Sequence, residues 1–269
     1  QSGVHHIITH KKNFGLARAF ETGLDAALKQ GADVIVHTDA DNQYCADDIP
    51  SLTKPILDGK ADLVIGARPI ESIEHFSAVK KLLQRVGSAA VRQISNSDVK
   101  DAPSGFRAYS REAAMRIHVF SDYTYTLETI IQAGQSRLPI ESVPVRVNGP
   151  TRPSRLVKSI PNYVRRSLST MARIYITYRP LSFFGTIGFV LLSTGFLIGL
   201  RFLAFYMAGN GDGHIQSLIL SAVLLLSGLQ AIALGIVADL IAVNRKLNER
   251  TAYLTKKQFY DSYASSSNT

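Results

Sequence analysis

Two long apolar runs near the C-terminus constrain the fold of this chain more than any other feature. Leu181–Leu200 and Ile215–Ala238 hold 20 and 24 residues without a charged side chain. An α-helix rises about 1.5 Å per residue, so about 20 residues cross the roughly 30 Å hydrocarbon layer of a bilayer. A soluble protein rarely buries two such runs, and we therefore predict a two-helix transmembrane hairpin over 181–243.

The basic residues predict the orientation of this hairpin. The connector 208–214 has no Lys or Arg, whereas residues 151–180 contain seven and no acid, and Arg245, Lys246 and Arg250 follow the second run. Basic residues favour the cytoplasmic side. We expect a multi-pass protein of the cell membrane with residues 1–150 and a tail at 244–269 in the cytoplasm, and a disordered polar end at 262–269.

The basic segment 151–180 has the pattern of a helix lying in the membrane interface. Val164, Leu168 and Tyr175 share one helical face, and Arg165 and Arg173 lie away from it. An ordinary amphipathic core helix is the alternative. The net charge of +9 is concentrated beside the apolar runs, which favours anionic lipid headgroups over nucleic acid as the partner.

The first 150 residues alternate between strand and helix patterns. Apolar runs predict strands at 4–9, 33–38, 62–66 and 140–147, and helical spacing predicts helices at 13–29, 47–57, 76–95, 111–117 and 124–134. Strands that alternate with helices indicate an α/β fold with an open, mostly parallel sheet.

An acidic pair, Asp39 and Asp41, directly follows the predicted strand 33–38. Ligands of open α/β sheets bind outside the carboxyl ends of the strands. Two carboxylates there could hold Mg²⁺ or Mn²⁺ on a diphosphate, with the Gln43 amide as a further oxygen ligand. The EF-hand pattern fails, because Tyr44 and Pro50 stand where Gly and Glu are needed. A solvated acidic turn capping the next helix remains the alternative.

Several segments, in order, resemble family 2 glycosyltransferases, and most closely the branch of dolichol-phosphate mannose synthase and the polyprenyl-phosphate sugar transferases. The first is His37–Tyr44 followed by Asp48–Pro50, which is similar to the D-x-D segment of the family. The others are Asn13–Gly15, Val64–Arg68, Asp101–Tyr109 and the basic run Thr151–Leu156.

The resemblance implies a GT-A-like fold and roles for individual residues. Asp39, Asp41 and Gln43 would hold the metal, and Asp101 would stand at the acceptor, as a base or a positioning group. Ser104 and Gly105 would form the acceptor loop. The implied ligands of donor or acceptor phosphate are Arg68, Arg107, Arg152 and Arg155.

The opening strands of the family, with P-x-Y-N-E and an Asp-Asp pair, do not occur in this sequence. We expect the N-terminal strands of the fold to be missing, and the base-binding residues are therefore not named.

The sequence thus predicts transfer of a sugar from a nucleotide-sugar donor to a polyprenyl or dolichyl phosphate at the cytoplasmic membrane face. Three alternatives stay open: a glycosyltransferase acting on a hydroxyl, an inactive membrane scaffold of the same fold, and a metal-dependent nucleotidyltransferase. The spacing of Gly195 and Gly199 matches a small-xxx-small helix contact, which could join the two spans, form a homo-oligomer or have no role.

Overall fold

The computed structural model describes residues 3–69, 78–119, 125–148, 165, 169, 172–173, 175–210 and 212–267. The chain divides into two compact units. The first contains Gln1–Met171 and Glu249–Thr269, and the second contains Ala172–Asn248.

Most predicted elements are present at or near their predicted bounds. The strands are β1 (Val34–His37), β2 (Leu63–Ala67), β3 (Arg107–Ser110) and β4 (Ile140–Pro144). The helices are α1 (Leu16–Lys29), α2 (Ile49–Leu57), α3 (Ala78–Ser95), α4 (Arg111–Arg116), α5 (Thr126–Gln135), α6 (Pro180–Met207) and α7 (Ile215–Ser267).

The predicted strand at 4–9 is wrong. That segment has no regular structure, and the side chains of Val4, Ile7 and Ile8 are 61%, 82% and 53% exposed. Apolar composition indicates a strand only where a neighbour supplies hydrogen bonds and a surface to pack on, and none of the described strands lies beside this segment.

The sheet is mixed, so the prediction of a mostly parallel sheet needs correction. Its order is β1-β3-β2-β4, and β2 pairs with β4 in parallel. Strand β3 was not predicted from the sequence; it lies between β1 and β2 and is antiparallel to both. Strands β1, β2 and β4 therefore run one way and β3 alone runs the other, which brings the start of β3 to the carboxyl ends of β1 and β2.

The core lies on both faces of this sheet. Leu63, Val64 and Ile65 of β2 are fully buried, as expected of a central strand covered on both sides. On one face Leu52 of α2 packs with Val64 and Phe106, together with Tyr44, Ala61, Ala108 and Val145. This packing fixes the loops that begin where the strands end.

Gly134 marks the closest approach of α5 to α3. A Cβ atom at Gly134 would lie 2.0 Å from the backbone carbonyl oxygen of Ser95. Because backbone cannot rotate away as a side chain can, we expect Gly134→Ala to destabilise the fold by about 1–3 kcal/mol, the usual cost of overpacking. Urea unfolding followed by circular dichroism measures this. Gly23→Ala in α1 is the control, since its Cβ meets nothing within 4 Å, and equal stabilities of the two variants would contradict the prediction.

In the second unit α6 packs closely against α7 through small residues. A Cβ at Gly188 would lie 2.8 Å from the Gly228 carbonyl oxygen, and one at Gly199 would lie 2.8 Å from Ser221 Oγ. Ser221 Oγ donates to the Gly195 carbonyl oxygen at 2.7 Å. The small residues Gly195 and Gly199 therefore face α7 of the same chain, one of the three options that the sequence left open.

Two helices, Pro180–Met207 and Ile215–Tyr263, are long and apolar enough to cross a membrane, and each contains an 18-residue stretch of high mean hydropathy, 2.0 in the first and 2.2 in the second. Large apolar side chains such as Phe189, Phe196 and Leu226 remain 62–70% exposed. An apolar surface of this kind suits contact with lipid.

The disordered end predicted at 262–269 is wrong for the part that the structure describes, because α7 continues to Ser267. Its last turns belong to the first unit. Tyr253 Oη donates to both carboxylate oxygens of Glu112 at 2.9 Å, and Tyr260 Oη donates to Asp25 Oδ1 at 3.0 Å. These tertiary hydrogen bonds to α4 and α1 hold the part of α7 that directly precedes the polar end, and composition could not reveal them.

Candidate active site at the carboxyl end of strand β1

The acidic pair lies in a tight loop directly after β1. Asp39 and Asp41 are both partly exposed, and the Gln43 backbone N–H donates to Asp41 Oδ1 at 3.1 Å. Asn42 between them has a φ of +57°, a left-handed conformation that asparagine tolerates better than most residues. The turn therefore keeps both carboxylates at the end of the strand, as the sequence predicted.

The far side of this loop is braced by the segment after β4. Asp48 Oδ2 accepts the Arg146 backbone N–H at 2.7 Å, and its Oδ1 accepts Arg146 Nε at 2.9 Å. These hydrogen bonds hold the pKa of the Asp48 carboxyl below its usual range. Asp48 stands at the N-cap position of α2, but its side chain makes no capping hydrogen bond, and its carboxylate braces the loop instead.

Asp39 lies against Gly105, the residue just before β3. A Cβ at Gly105 would lie only 2.5 Å from Asp39 Oδ2 and 3.2 Å from Tyr125 Oη. Only a residue without a side chain leaves Asp39 this position. The predicted metal loop and the predicted acceptor loop, 66 residues apart in sequence, are therefore in contact.

Two side chains of the acidic segment also hold Gly105. His37 Nδ1 lies 2.9 Å from the Gly105 carbonyl oxygen, and Tyr44 Oη accepts the Gly105 backbone N–H at 3.2 Å. Tyr44 Oη also lies 3.4 Å from Ser104 Oγ. The acceptor loop is thus tied to the strand and loop that carry the carboxylates.

The His37 side chain is largely buried among aromatic side chains. Its ring meets Phe20 and Tyr125 edge-on, with centroid distances of 5.2 and 5.0 Å, and Tyr125 Oη lies 3.2 Å from Nδ1. Burial lowers the pKa of His37, against the raising effects of the Gly105 hydrogen bond and the Asp39 charge. Burial likewise raises the pKa of Tyr125. Both groups are therefore neutral near pH 7.

Arg68 and Asp101, predicted to bind phosphate and the acceptor, form a buried ion pair with each other. Arg68 Nε lies 2.6 Å from Asp101 Oδ2, and a second guanidinium nitrogen lies 3.0 Å from Oδ1. Their side chains are 9% and 1% exposed. The Asp101 carboxylate is engaged by Arg68, which suits the positioning role expected of Asp101 more than that of a base. Arg68 holds Asp101 in this structure, and phosphate binding by Arg68 stays a prediction.

Arg107 is a structural arginine, so its prediction as a phosphate ligand is wrong. It is fully buried. Its guanidinium donates to the carbonyl oxygens of Ser104, Ala102 and Thr126 and to Thr129 Oγ1 at 2.7–2.8 Å. Because Arg107 lies in β3, a strand that was not predicted from the sequence, its side chain points into the fold and supports the acceptor loop from behind.

Breaking the Arg68–Asp101 pair should be costly. A charge left unpaired in such a site costs about 3–5 kcal/mol, so we expect Asp101→Asn and Arg68→Met each to lose stability in this range. The double variant should lose less than the sum, because neither charge is then left alone. A double-mutant cycle in urea measures the coupling. Arg18→Met serves as a control, since Arg18 pairs with Glu21 at an exposed site; a coupling near zero would contradict the buried pair.

The residues present fit a divalent cation that also binds a substrate diphosphate. In the described part of the chain no group of three His, Cys, Asp or Glu side chains could enclose a metal ion, and no hydrogen bond is made to the Asp39 carboxylate. Mg²⁺ is typically held by one or two carboxylates together with substrate phosphates and waters. Asp39 and Asp41 supply that donor set, and Gln43 lies on the same loop.

Several of these residues were not identified as site residues from the sequence. His37 and Tyr44 stood in the D-x-D segment, whose pattern could have pointed to them. Tyr125 and Arg146 carried no local signal. Arg152 and Arg155 lie outside the described residues.

Comparison with known proteins finds one family model and several relatives that match part of the chain. Residues 2–117 match the model of the family described as "Glycosyl transferase family 2". The chain is 33% identical over 149 residues to UDP-N-acetylglucosamine–dolichyl-phosphate N-acetylglucosaminyltransferase of Methanococcus voltae, covering 52% of this chain and 57% of that protein. It is 25% identical over 267 residues to dodecaprenyl-phosphate galacturonate synthase of Rhizobium johnstonii, covering 95% of this chain and 75% of that protein.

Among solved structures, a match is glucosyl-3-phosphoglycerate synthase from Mycobacterium tuberculosis in complex with Mn²⁺, UDP-glucose and glycerol 3-phosphate. It has a TM-score of 0.42 and 21% identity, over 61% of this chain and 56% of that chain. The chain spans little more than half the length of the first curated relatives it matches.

Proposed function

Because residues 2–117 match glycosyl transferase family 2, we propose that the protein transfers a sugar from a nucleotide-sugar donor to a polyprenyl or dolichyl phosphate. The observation that carries the proposal is the contact between Asp39 and Gly105. It places a carboxylate suited to a metal–diphosphate against the loop expected to receive the acceptor.

The membrane lipid as acceptor follows from two independent features. The chain has two helices able to cross a membrane, and two of its relatives are named for dolichyl and dodecaprenyl phosphate. Residues 1–150 would then work at the cytoplasmic membrane face, on the side of the basic flanks, and Arg152 and Arg155 would meet the lipid phosphate.

The buried Asp101 favours a phosphate acceptor over a hydroxyl. A hydroxyl nucleophile must lose a proton to a base as it attacks, and Asp101 is held in its ion pair with Arg68. A phosphate monoester has a second pKa near 6 and is already largely deprotonated at neutral pH. The acceptor that suits this site therefore needs no base.

In the proposed reaction an acceptor phosphate oxygen bonds to the anomeric carbon of the sugar, and the bond from that carbon to the donor diphosphate breaks. Asp39, Asp41 and Gln43 would hold Mg²⁺ or Mn²⁺, which when bound neutralises the charge that develops on the departing nucleoside diphosphate. Ser104 and Gly105 would orient the acceptor, with Arg107 keeping their loop in place from behind.

Incubation of the protein in detergent with labelled nucleotide sugars, Mn²⁺ and polyprenyl phosphate tests the proposal. Label should move to the organic phase only when metal and lipid phosphate are both present. Transfer to a sugar hydroxyl would favour the alternative transferase, and a donor that binds without transfer would favour an inactive scaffold. Failure with every donor would refute the proposal.

A further inference from the structure

The backbone of Gly105 is held from both sides by the segment that carries the acidic pair. His37, two residues before Asp39, reaches its carbonyl oxygen, and Tyr44, three residues after Asp41, accepts its N–H. Asp39 itself rests on the Cα side of Gly105. The position of Gly105 therefore decides where the Asp39 carboxylate can lie.

Tyr125 fixes the His37 ring in turn. Its hydroxyl lies 3.2 Å from His37 Nδ1, and its ring stacks on Phe20 with a centroid distance of 4.2 Å and an interplanar angle of 12°. Phe20 also meets the His37 ring. The imidazole is thus held by packing on its faces and edges, while its nitrogen stays directed at Gly105.

Apart from its packing against Gly105, little holds the Asp39 carboxylate in one direction. In the described chain its carboxylate accepts no hydrogen bond, unlike Asp41, whose Oδ1 is held by the Gln43 N–H. A metal ligand needs a preset direction, and such directions come from the groups that surround the ligand. For Asp39 the packing against Gly105 is what supplies it.

We propose that His37 and Tyr125 are positioning residues for Asp39: they hold Gly105 beneath its carboxylate so that the carboxylate faces the metal on the donor diphosphate. This inference rests on the proposed function. It assigns to His37 and Tyr125 a role that acts through Gly105 and not through contact with the metal or the substrate, and it predicts that metal affinity depends on the hydrogen bond between His37 and Gly105.

Direct Mn²⁺ binding tests the inference without turnover. We expect His37→Phe and Tyr125→Phe, in the full chain in detergent, to bind Mn²⁺ about 10- to 100-fold more weakly, the usual effect of losing a group that orients a metal ligand. Paramagnetic resonance of free Mn²⁺ reports this affinity. His37→Asn should restore most of it, because its amide nitrogen can take the place of Nδ1 and donate to Gly105.

Two control variants distinguish a loss of Asp39 positioning from a general loss of structure. His118→Phe replaces a partly buried histidine whose backbone N–H donates to Gln132 of α5, and Tyr260→Phe removes a hydroxyl that donates to Asp25. Neither residue contacts the acidic loop or Gly105 in the described structure, so both variants should keep the parental Mn²⁺ affinity. Thermal unfolding of all variants shows that the comparison concerns folded protein.

Kinetics give a second readout. In the labelled-sugar assay the KM for Mn²⁺ of His37→Phe and Tyr125→Phe should rise, and kcat at saturating Mn²⁺ should largely return. If folded His37→Phe and Tyr125→Phe bind Mn²⁺ like the parent, the inference is refuted and the proposed function stands. If the parent itself binds no Mn²⁺ in the presence of donor, the metal step of the proposed function fails and the inference fails with it.

Discussion

Replacement of Asp39 by asparagine is expected to lower sugar transfer by about 10²- to 10³-fold, the range seen when a preset electrostatic group is removed from an active site. Asparagine keeps the shape of the side chain but removes the negative charge that would hold the cation on the donor diphosphate. The loss should be in both kcat and Mn²⁺ affinity, because the same carboxylate holds the metal in the ground state and in the transition state.

Radiolabel transfer to polyprenyl phosphate, measured over a range of Mn²⁺ concentrations, checks this expectation. Asp33→Asn is the matched control, since Asp33 is exposed just before β1, at the opposite end of the strand from the site. Asp41→Asn should behave like Asp39→Asn. Unchanged transfer and unchanged Mn²⁺ affinity in Asp39→Asn would show that the acidic pair is only a solvated turn.

Gly105→Ala is expected to abolish most of the activity while leaving the protein folded. The added methyl would lie 2.5 Å from Asp39 Oδ2. That oxygen is the end of a rotatable side chain and can swing away, so the fold survives and the carboxylate leaves its place. Misplacement of a reacting group by about 1 Å can cost about 10²-fold in rate.

Activity, Mn²⁺ affinity and unfolding temperature, measured together, test this second expectation. Gly23→Ala makes the same chemical change where the added methyl meets nothing within 4 Å, so it should retain activity and become slightly more stable, as Gly to Ala changes inside helices usually do. A fully active Gly105→Ala protein would mean that Asp39 does not depend on Gly105. An unfolded one would mean that Asp39 cannot move aside.

The two substitutions change different properties of the same site. Asp39→Asn removes the charge and keeps the geometry, whereas Gly105→Ala keeps the charge and changes the geometry. We expect both variants to lose Mn²⁺ affinity and both to remain folded.

Much of the local structure could be predicted from the sequence. The uncharged runs predicted both long apolar helices, because length and absence of charge are properties of contiguous residues. Helical spacing predicted α1 within three residues at its start and at Lys29 at its end. The position of Asp39 and Asp41 directly after strand β1 was also predictable, since strand and loop are neighbours in the chain.

Only the tertiary structure decided which of these elements contact one another. Strand β3 enters between β1 and β2, so Arg107 is buried where the sequence suggested a phosphate ligand, and Asp101 meets Arg68 across 33 residues. The contacts of Gly105 with His37 and Asp39 join positions more than 60 residues apart. Periodicity and composition report on the environment of one segment, whereas these contacts depend on which segments become neighbours, and that is set by the packing of the whole fold.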